Sequence, residues 1–363
     1  MTGEATMGRI QTVLGDIAPA DLGVTLPHEH FLIDQTLGGV YFVEPEILSE
    51  RALAHQPVTL ENLSWVRYHT KDSLDNQVLD NVDMAIKEAL LFKLEGGSAI
   101  VDQTNRGIGR DARALARIAR ATGLNVVMGS GYYADSPKTS DRVSGMGEEA
   151  IAEEIVGDFT RGVDGTVVRA GIIGELGCSW PLRPNEAKGL RAGALAQTLT
   201  GAAVTVHPGR NDGAPLEIVE VLSAAGADLN RVVICHMDRC GYSLETRLSL
   251  LQAGCFIEYD LFGFEGYYPA RVAMAEGKLP DTPNDLGRIR EIQDLIARGY
   301  LSQILVSHDI GMKVMLVSYG GWGYAHLLRE VAPLMRLYGV TDEQIQALMV
   351  ENPRRLLTIT KER

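Results

Sequence analysis

The 363-residue chain contains few cysteines, few aromatic residues and no long apolar run. Its four cysteines are not spaced as Cys-X-X-Cys, so we expect reduced, buried thiols and a cytoplasmic protein. No stretch approaches the ~18–20 apolar residues of a membrane-spanning helix, and the first residues do not resemble a signal peptide. The sequence therefore predicts a soluble protein that is not exported. The cysteines are Cys178, Cys235, Cys240 and Cys255.

Basic residues are also scarce relative to acidic ones. The chain has 34 Lys and Arg against 47 Asp and Glu, which gives a formal net charge of −13. This balance argues against nucleic acid or an anionic membrane surface as the partner, because both require a basic face. A small anionic substrate is not excluded, since it needs only a local cluster of Arg or Lys. We therefore expect a small-molecule substrate.

Eight short apolar or β-branched runs follow one another along the chain, mostly separated by helical patterns. Near-continuous apolar strands are typical of a parallel sheet covered on both faces. Eight strand–helix repeats predict an α/β protein with a (β/α)8 TIM barrel. No composition break marks a second domain, so we expect residues 1–363 to form a single barrel domain. The predicted strands are 22–27, 98–103, 125–130, 170–175, 202–207, 231–236, 255–260 and 303–308.

Two connections in this pattern are long loops, at residues 31–97 after strand 1 and 261–302 after strand 7. The loops at the carboxyl ends of barrel strands build the active site, so these insertions are candidate substrate walls or lids. Amphipathic patterns, several of them ending in glycine, predict helices between the other strands. The helices that we name are 80–97, 110–123, 148–163 and 214–226.

Side chains that can bind metal ions stand at or near the carboxyl ends of five predicted strands. Residues i and i+2 of a strand face the same side, so His28 and His30 can bind one ion. A ring of buried carboxylates and imidazoles would be costly without a compensating charge. We therefore predict a metal site at the barrel mouth. Its six candidate ligands are His28, His30, Glu175, His207, His236 and Asp309.

Six ligands are too many for one tetrahedral ion. They suit two ions about 3.5–4 Å apart that share a bridging group, as in hydrolytic two-metal sites. Neutral imidazoles and carboxylates accept Zn²⁺, Mn²⁺ and Co²⁺. We expect two divalent metal ions per chain and name zinc first, with manganese and cobalt as alternatives.

The opening "GRIQTVLGDIAPADLGVTLPHEHFLID" contains the His-X-His, and the segments "GSGYY", "HPGRN", "HMDR" and "SHD" follow it along the chain. In these segments and in their order, the chain resembles the phosphotriesterase-related family of the amidohydrolase superfamily, whose N-terminal signature carries a metal-binding His-X-His. The resemblance covers about residues 8–358. It implies that His28, His30 and Asp309 hold the more buried ion, and that His207 and His236 hold the more exposed one.

The resemblance also separates this chain from many members of the family. Where those members carry a carboxylated lysine as the bridging ligand, this sequence has Glu175. The implied activity is hydrolysis of an ester bond by a metal-bridging hydroxide, with Asp309 as the catalytic proton acceptor. A lactone is the expected substrate, including a phosphorylated sugar lactone. The alternatives are a phosphotriester or phosphodiester hydrolase, and a small-molecule binding protein of the resiniferatoxin type. A homodimer also remains an alternative.

Further residues near the strand ends are candidates for substrate binding. A phosphorylated substrate would need cations above the metal ions, and three arginines lie in strand-end loops. These arginines can equally pair with surface carboxylates. The tyrosines of "GSGYY" can bond the substrate or pack against the mouth. The substrate-binding candidates are Tyr132, Tyr133, Arg210, Arg239, Tyr267, Tyr268 and Arg271.

Overall fold

A computed structural model describes residues 8–38, 42, 44–134, 142–239, 242–265 and 282–361. Eight parallel strands form one sheet in which neighbours follow the chain order, from the strand at Thr25–Glu29 to the strand at Ile304–Val306. The two ends of this sheet meet, because the Asp309 amide donates to the His28 carbonyl over 3.2 Å. The predicted (β/α)8 TIM barrel is confirmed. The strands are β1 Ile10–Thr12, β2 Gly15–Ile17, β3 Thr25–Glu29, β4 Ile33–Asp34, β5 Val78–Leu79, β6 Ala99–Asp102, β7 Asn125–Ser130, β8 Ile172–Gly177, β9 Val204–His207, β10 Val232–Ile234, β11 Phe256–Tyr259 and β12 Ile304–Val306.

Side chains cap the start of several helices between these strands, among them α3 (Val82–Leu94) and α4 (Ala112–Thr122). Asp111 accepts a hydrogen bond from the Ala114 amide at the start of α4, and Gly123 ends this helix with a φ of 68°. Asn81 begins α3 in the same way. The helices are α1 Leu48–Ala54, α2 Leu63–Tyr68, α3 Val82–Leu94, α4 Ala112–Thr122, α5 Glu148–Thr160, α6 Pro184–Thr200, α7 Ala214–Ala224, α8 Leu244–Gln252, α9 Asp285–Ala297, α10 Ala332–Leu337, α11 Asp342–Gln346 and α12 Asn352–Leu357.

The barrel interior is apolar at the amino-terminal ends of the strands. Small and branched residues from successive strands pack together there with Ile10 of the β1–β2 hairpin. The Val13 amide next to this hairpin donates to the Val126 carbonyl over 2.9 Å, which attaches the hairpin to β7. The hairpin thus covers the end of the barrel opposite the predicted site. The interior residues include Ala99, Val101, Val127, Ile172, Ala203, Val233, Phe256 and Leu305.

The two long connections are present after the first and seventh barrel strands. The first, between β3 and β6, contains the β4–β5 pair together with α1, α2 and α3. The second contains α9, and residues 266–281 within it lie outside the described residues. Among the described residues, no helix combines the length and the apolar character needed to cross a membrane. That residues 1–363 form one domain stays a prediction.

Candidate metal centre

Irregular backbone brings the predicted ligands to the barrel mouth. The pairing of β3 with β6 changes register between Leu26 and Glu29, and that of β8 with β9 between Ile173 and Leu176. His28 and Glu175 lie within these irregular segments, and such bulges re-aim side chains next to active sites. His236 and Asp309 have positive φ angles of 57° and 51°. Four of the six residues therefore stand where the backbone departs from a regular strand.

The first group of candidate ligands consists of His28, His30 and Asp309. The Nε2 atom of His30 lies 3.2 Å from Asp309 Oδ1, and His28 Nε2 lies 3.7 Å from the same oxygen. One ligand atom from each of these three residues lies within 4.8 Å of the others. The side chains of His28 and His30 are buried, whereas that of Asp309 is 26% exposed. This group is the trio that the resemblance assigned to the more buried ion.

Glu175 lies at the centre of the second group. Its Oε1 atom is 2.7 Å from His207 Nδ1, 2.8 Å from His236 Nε2 and 3.7 Å from His28 Nε2. One carboxylate oxygen thus faces three imidazoles that belong to three different strand ends. Ligand atoms of His28, Glu175 and His236 also lie within 4.8 Å of one another. This position between the two groups is the one expected of a bridging ligand.

Hydrogen bonds fix which nitrogen of each imidazole faces the centre. His28 Nδ1 lies 3.0 Å from Glu258 Oε2, and His236 Nδ1 lies 2.8 Å from Asp260 Oδ1. His30 Nδ1 lies 2.9 Å from Thr104 Oγ1, whose hydroxyl donates to the Leu32 carbonyl and therefore accepts from the imidazole. Acceptors at Nδ1 hold the proton there and leave Nε2 as the atom that can bind a metal.

His207 has the opposite orientation. Its Nδ1 atom faces Glu175, and its Nε2 atom receives a hydrogen bond of 2.9 Å from Arg239 Nη1. Arg239 is buried and also donates to the Pro208 carbonyl over 2.6 Å. Burial and the nearby Arg239 charge lower the pKa of His207 to about 3, so its imidazole is neutral at neutral pH. Because Nε2 accepts from Arg239, this neutral form carries its proton on Nδ1, toward Glu175. Binding a metal through either nitrogen would therefore require one of these two contacts to change.

The carboxylates of the site are held in their charged form. Burial acts to raise the pKa of Glu175, but the interactions with His207 and His28 lower it well below its usual value. Burial likewise acts to raise the pKa of Asp309, which the contact with His30 and the charge of His236 lower. At His236, burial acts to lower the pKa, but Asp260 raises it to about 9. The surrounding carboxylates therefore stabilise positive charge on the imidazoles, and a bound cation would supply positive charge at the same place.

The donor set fits divalent metal ions. Ligand atoms lie within 4.8 Å of one another in the group of His28, His30 and Asp309 and in the group of His28, Glu175 and His236. Imidazole nitrogens and carboxylate oxygens both bind divalent ions. The Nε2 atom of His28 is buried and has no hydrogen-bond partner among the described residues. A buried polar atom that is left unpaired is costly, and this one points toward Glu175 and Asp309. A cation at this point would satisfy it.

Sequence reasoning missed the side chains that hold the imidazoles in place. Glu258 and Asp260 are buried at the end of β11, and Thr104 is buried after β6. The signal was present in "CFIEYD", where two acidic residues at i and i+2 interrupt an apolar run and so share a face. Burial raises the pKa of Glu258 to about 7. Acidic residues within a buried strand, and not only at its end, mark such supports.

The structure brings together some of the substrate-binding candidates. Tyr133, Arg210 and Arg239 line one pocket with four of the six ligands, and the Tyr133 hydroxyl lies 3.1 Å from His207 Nδ1. The Tyr132 hydroxyl instead bonds Glu154 and accepts from Arg142 over 2.8 Å, and Tyr132 lines a neighbouring pocket. The remaining candidates lie outside the described residues, as does Cys240; they are Tyr267, Tyr268 and Arg271.

His308, the residue before Asp309, has a structural role. Its Nδ1 atom lies 2.7 Å from Glu29 Oε1, and its Nε2 atom accepts from the Leu327 amide over 3.0 Å. Glu29 also accepts hydrogen bonds from Ser307 Oγ and the Ile310 amide. This buried network joins β3 to the end of β12. It therefore keeps the strands of His28 and Asp309 together where the barrel closes.

Comparisons with known proteins agree with this arrangement. The model of the phosphotriesterase family matches residues 8–357. The N-acetyltaurine hydrolase of Homo sapiens is 40% identical over 352 residues, which cover 97% of this chain and 98% of that protein. A resiniferatoxin-binding protein from Rhodobacter sphaeroides has a crystal structure with a TM-score of 0.90 and 38% identity, covering 98% of this chain and 96% of its own.

A more distant solved structure carries a different activity in its name. A mutant of the phosphotriesterase-like lactonase from Deinococcus radiodurans has a TM-score of 0.73 and 26% identity, covering 96% of this chain and 99% of its own. The resemblance inferred from the sequence is confirmed. The chain belongs to the phosphotriesterase family and is a hydrolase.

Proposed function

We propose that the chain hydrolyses the amide bond of a small N-acyl amine and that it uses two divalent metal ions, with zinc as the first candidate. The observation that supports a hydrolytic site is the convergence of six candidate ligand side chains at the barrel mouth, where four of them line one pocket. The choice of an amide is supported by the 40% identity to a protein named N-acetyltaurine hydrolase. N-Acetyltaurine is therefore the first substrate to test.

The ligands would be divided as the distances suggest. His28, His30 and Asp309 would hold one ion, His207 and His236 the other, and Glu175 would lie between them. When bound, such ions lower the pKa of water and polarise a carbonyl oxygen. All six ligands are supplied by rigid strand ends or by the residues next to them. This rigidity keeps the binding geometry fixed before the substrate arrives.

Asp309 is the residue that moves a proton in this proposal. Its side chain lines the pocket and is 26% exposed, whereas the side chains of the other carboxylates around the imidazoles are buried. Because its pKa is lowered, it is a carboxylate at neutral pH and can accept a proton. It takes the proton that water loses on attack at the carbonyl carbon and delivers it to the leaving nitrogen. The products are a carboxylate and an amine.

The other walls of the pocket position the substrate. Tyr133 lies over His207, where its hydroxyl can reach the polarised carbonyl. Apolar side chains cover much of the remaining surface and exclude water from the reacting group. They are suited to the short acyl chain of such a substrate. These side chains are Ile33, Ile108, Leu261, Phe264, Met312 and Met315.

A lactone is the second candidate substrate. The lactonase from Deinococcus radiodurans shares the fold and 26% of its residues with this chain. Attack on a lactone carbonyl uses the same residues and differs only in its leaving oxygen. Phosphotriester or phosphodiester hydrolysis and binding without turnover, as in the resiniferatoxin-binding type, stay alternatives. Turnover of an amide or a lactone by the wild-type protein would exclude the pure binding role.

The test is metal analysis of the purified protein followed by a substrate panel. The panel holds N-acetyltaurine, N-acetyl-β-alanine, free and phosphorylated lactones and a phosphotriester. We expect about two ions per chain and the highest kcat/KM on an N-acyl amine. Asp309→Asn should lower kcat by roughly 100- to 10,000-fold, whereas Asp294→Asn, an exposed control on α9, should not.

Three results would each contradict a different part of the proposal. Full reconstitution with clearly fewer than about two ions per chain would exclude the binuclear site. Turnover confined to lactones would replace the amide with the second candidate. Unchanged turnover in Asp309→Asn would remove Asp309 from the mechanism while leaving the substrate assignment intact.

A further inference from the structure

The pocket over the ligands carries positive charge that the metal site does not account for. Three cationic side chains line it, and they are Lys71, Arg210 and Arg239. Among the described residues, the acidic ones that line it are Glu175 and Asp309, and both belong to the ligand groups. This local excess of cations occurs in a chain whose net charge is −13. A pocket of this kind attracts an anion.

The cations differ in their burial and in the parts of the chain that carry them. Arg239 is buried against His207 and the Pro208 carbonyl, so it acts on a ligand imidazole. Lys71 and Arg210 are half-buried and come from two different connections, the insertion after β3 and the loop after β9. Neither of them is one of the metal-binding candidates. They are therefore the cations that a substrate in the pocket can meet.

The backbone around Lys71 is held by two buried amides. Asn76 Nδ2 donates to the Thr70 carbonyl over 3.0 Å, and Gln77 Nε2 donates to the Lys71 carbonyl over 2.8 Å. Both amide side chains belong to residues that are fully buried. These two donated bonds link the side chains of Asn76 and Gln77 to the backbone of the turn and hold it in a defined conformation. The backbone of Lys71 is therefore held in place in the pocket wall.

The same turn is attached to the loop that follows β12. The Val314 amide donates to Asn76 Oδ1 over 3.0 Å, and Lys313 forms an ion pair of 2.6 Å with Asp75. Residues of that loop, Met312 and Met315, line the pocket beside Asp309. The insertion after β3 is therefore joined to the metal-site side of the barrel.

Arg210 also stands on a closely packed loop. A Cβ atom added at Gly209 would lie 2.5 Å from the backbone of Ser179 and Trp180, so only glycine allows this approach. The Tyr242 hydroxyl donates to the Gly209 carbonyl over 2.9 Å. The backbone before Arg210 is thus fixed between two neighbouring loops.

We propose that Lys71 and Arg210 form an anion-binding subsite that selects substrates with a carboxylate or sulfonate on the amine side of the cleaved bond. This inference rests on the proposed hydrolysis of an N-acyl amine. The acyl group would lie against the apolar walls and the carbonyl at the metal site, which leaves the amine side to reach the two cations. N-Acyl amino acids and N-acyl aminosulfonates share this chemistry, and uncharged amides of the same length do not.

The first test compares anionic and uncharged substrates in three variants of the metal-loaded enzyme. Lys71→Gln and Arg210→Gln should each raise KM for N-acetyltaurine by about tenfold or more, because a charge-assisted hydrogen bond is lost. KM for N-acetylethanolamine, which has a hydroxyl in place of the sulfonate, should stay the same. Lys87→Gln is the matched control, since it removes one exposed charge outside the pocket. An equal rise of KM for both substrates would show a structural role and overturn the subsite.

The second test does not need turnover, so it separates this inference from the proposed function. Binding of propane-1-sulfonate, butyrate and butyramide to the metal-loaded protein is measured by calorimetry. We expect the wild type to bind one or both anions more tightly than butyramide, and Lys71→Gln and Arg210→Gln to weaken only the anions. Tighter binding of propane-1-sulfonate than of butyrate would indicate N-acyl aminosulfonates as the substrates, and the reverse order would indicate N-acyl amino acids. Anion binding that both variants leave unchanged would refute the subsite, even where amide hydrolysis is observed.

Discussion

Asp260 should control the affinity of one metal ion without touching it. Its two oxygens accept both donors of His236, Oδ1 from the imidazole Nδ1 over 2.8 Å and Oδ2 from the backbone amide over 3.0 Å. Asp260→Asn keeps the volume but replaces one acceptor with an NH₂ group. A donor then faces a donor, whichever way the amide is turned. His236 loses either the bond that fixes its tautomer or the bond that fixes its backbone.

The expected magnitude follows from these two bonds. Partners of metal-bound histidines contribute roughly 10- to 100-fold to metal affinity, which is about 1.4–2.7 kcal/mol. An unsatisfied buried donor also costs about 1–3 kcal/mol of folding free energy. The loss of metal affinity should concern the ion held by His236 and His207. The ion held by His28, His30 and Asp309 should be affected less, because His28 Nδ1 keeps Glu258 at 3.0 Å although it also lies 3.4 Å from Asp260.

Chelator competition measures each metal equivalent, and urea unfolding of the metal-free protein measures stability. Asp158→Asn is the matched control, because Asp158 is buried and accepts from Arg110 over 2.7 Å and Ser130 over 2.8 Å. This control should lose a similar amount of stability and no metal affinity. If Asp260→Asn binds both ions as tightly as Asp158→Asn does, the positioning role of Asp260 is refuted.

Three further outcomes are expected. Thr104→Val removes the acceptor at His30 Nδ1 and should weaken the other ion by roughly tenfold or more in the same chelator competition. Burial acts to raise the pKa of Asp285, but hydrogen bonds from His326 and the Gly263 amide lower it. The loss of folding stability in Asp285→Asn should therefore be full above about pH 4, and it should shrink as the pH falls through the lowered pKa of the folded state. Urea unfolding at several pH values measures this loss. Removal of metal by a chelator should lower the thermal midpoint, because the clustered carboxylates lose their compensating cations; an unchanged midpoint would contradict the metal centre.

The barrel and the convergence of its polar strand ends could be predicted from the sequence for a simple reason. Parallel barrel strands place all their carboxyl ends on one face, so the order of apolar runs locates the residues that follow them. Glu175 illustrates the limit of this reasoning. It was expected at the end of a strand over 170–175, but β8 runs on to Gly177. An irregular pairing beside it, which periodicity does not reveal, lets this side chain face His207 and His236.

The pocket wall could not be predicted in the same way. The turn that carries Lys71 is held by Asn76 and Gln77 and is joined to Val314, a residue more than 200 positions further along the chain. Such a contact forms only when the barrel closes, so no local sequence pattern predicts it. Tyr132 and Tyr133 show the same limit at short range, because neighbours in an extended segment point to opposite sides. Only the three-dimensional arrangement shows that Tyr133 is the one in the pocket.

The arrangement of polar groups along the barrel axis explains why the site can be both buried and charged. Apolar residues fill the closed end, and above them Gln103 bonds Thr205 over 2.9 Å and the Pro27 carbonyl over 3.0 Å. Glu258 lies among buried groups and supports His28 from below. Glu258 Oε1 and His28 Nε2 are among the buried atoms of the described residues that lack a hydrogen-bond partner. The His28 Nε2 atom faces Glu175 and Asp309. A metal ion placed there completes a network that folding has already oriented, so metal binding requires little reorganisation of the barrel.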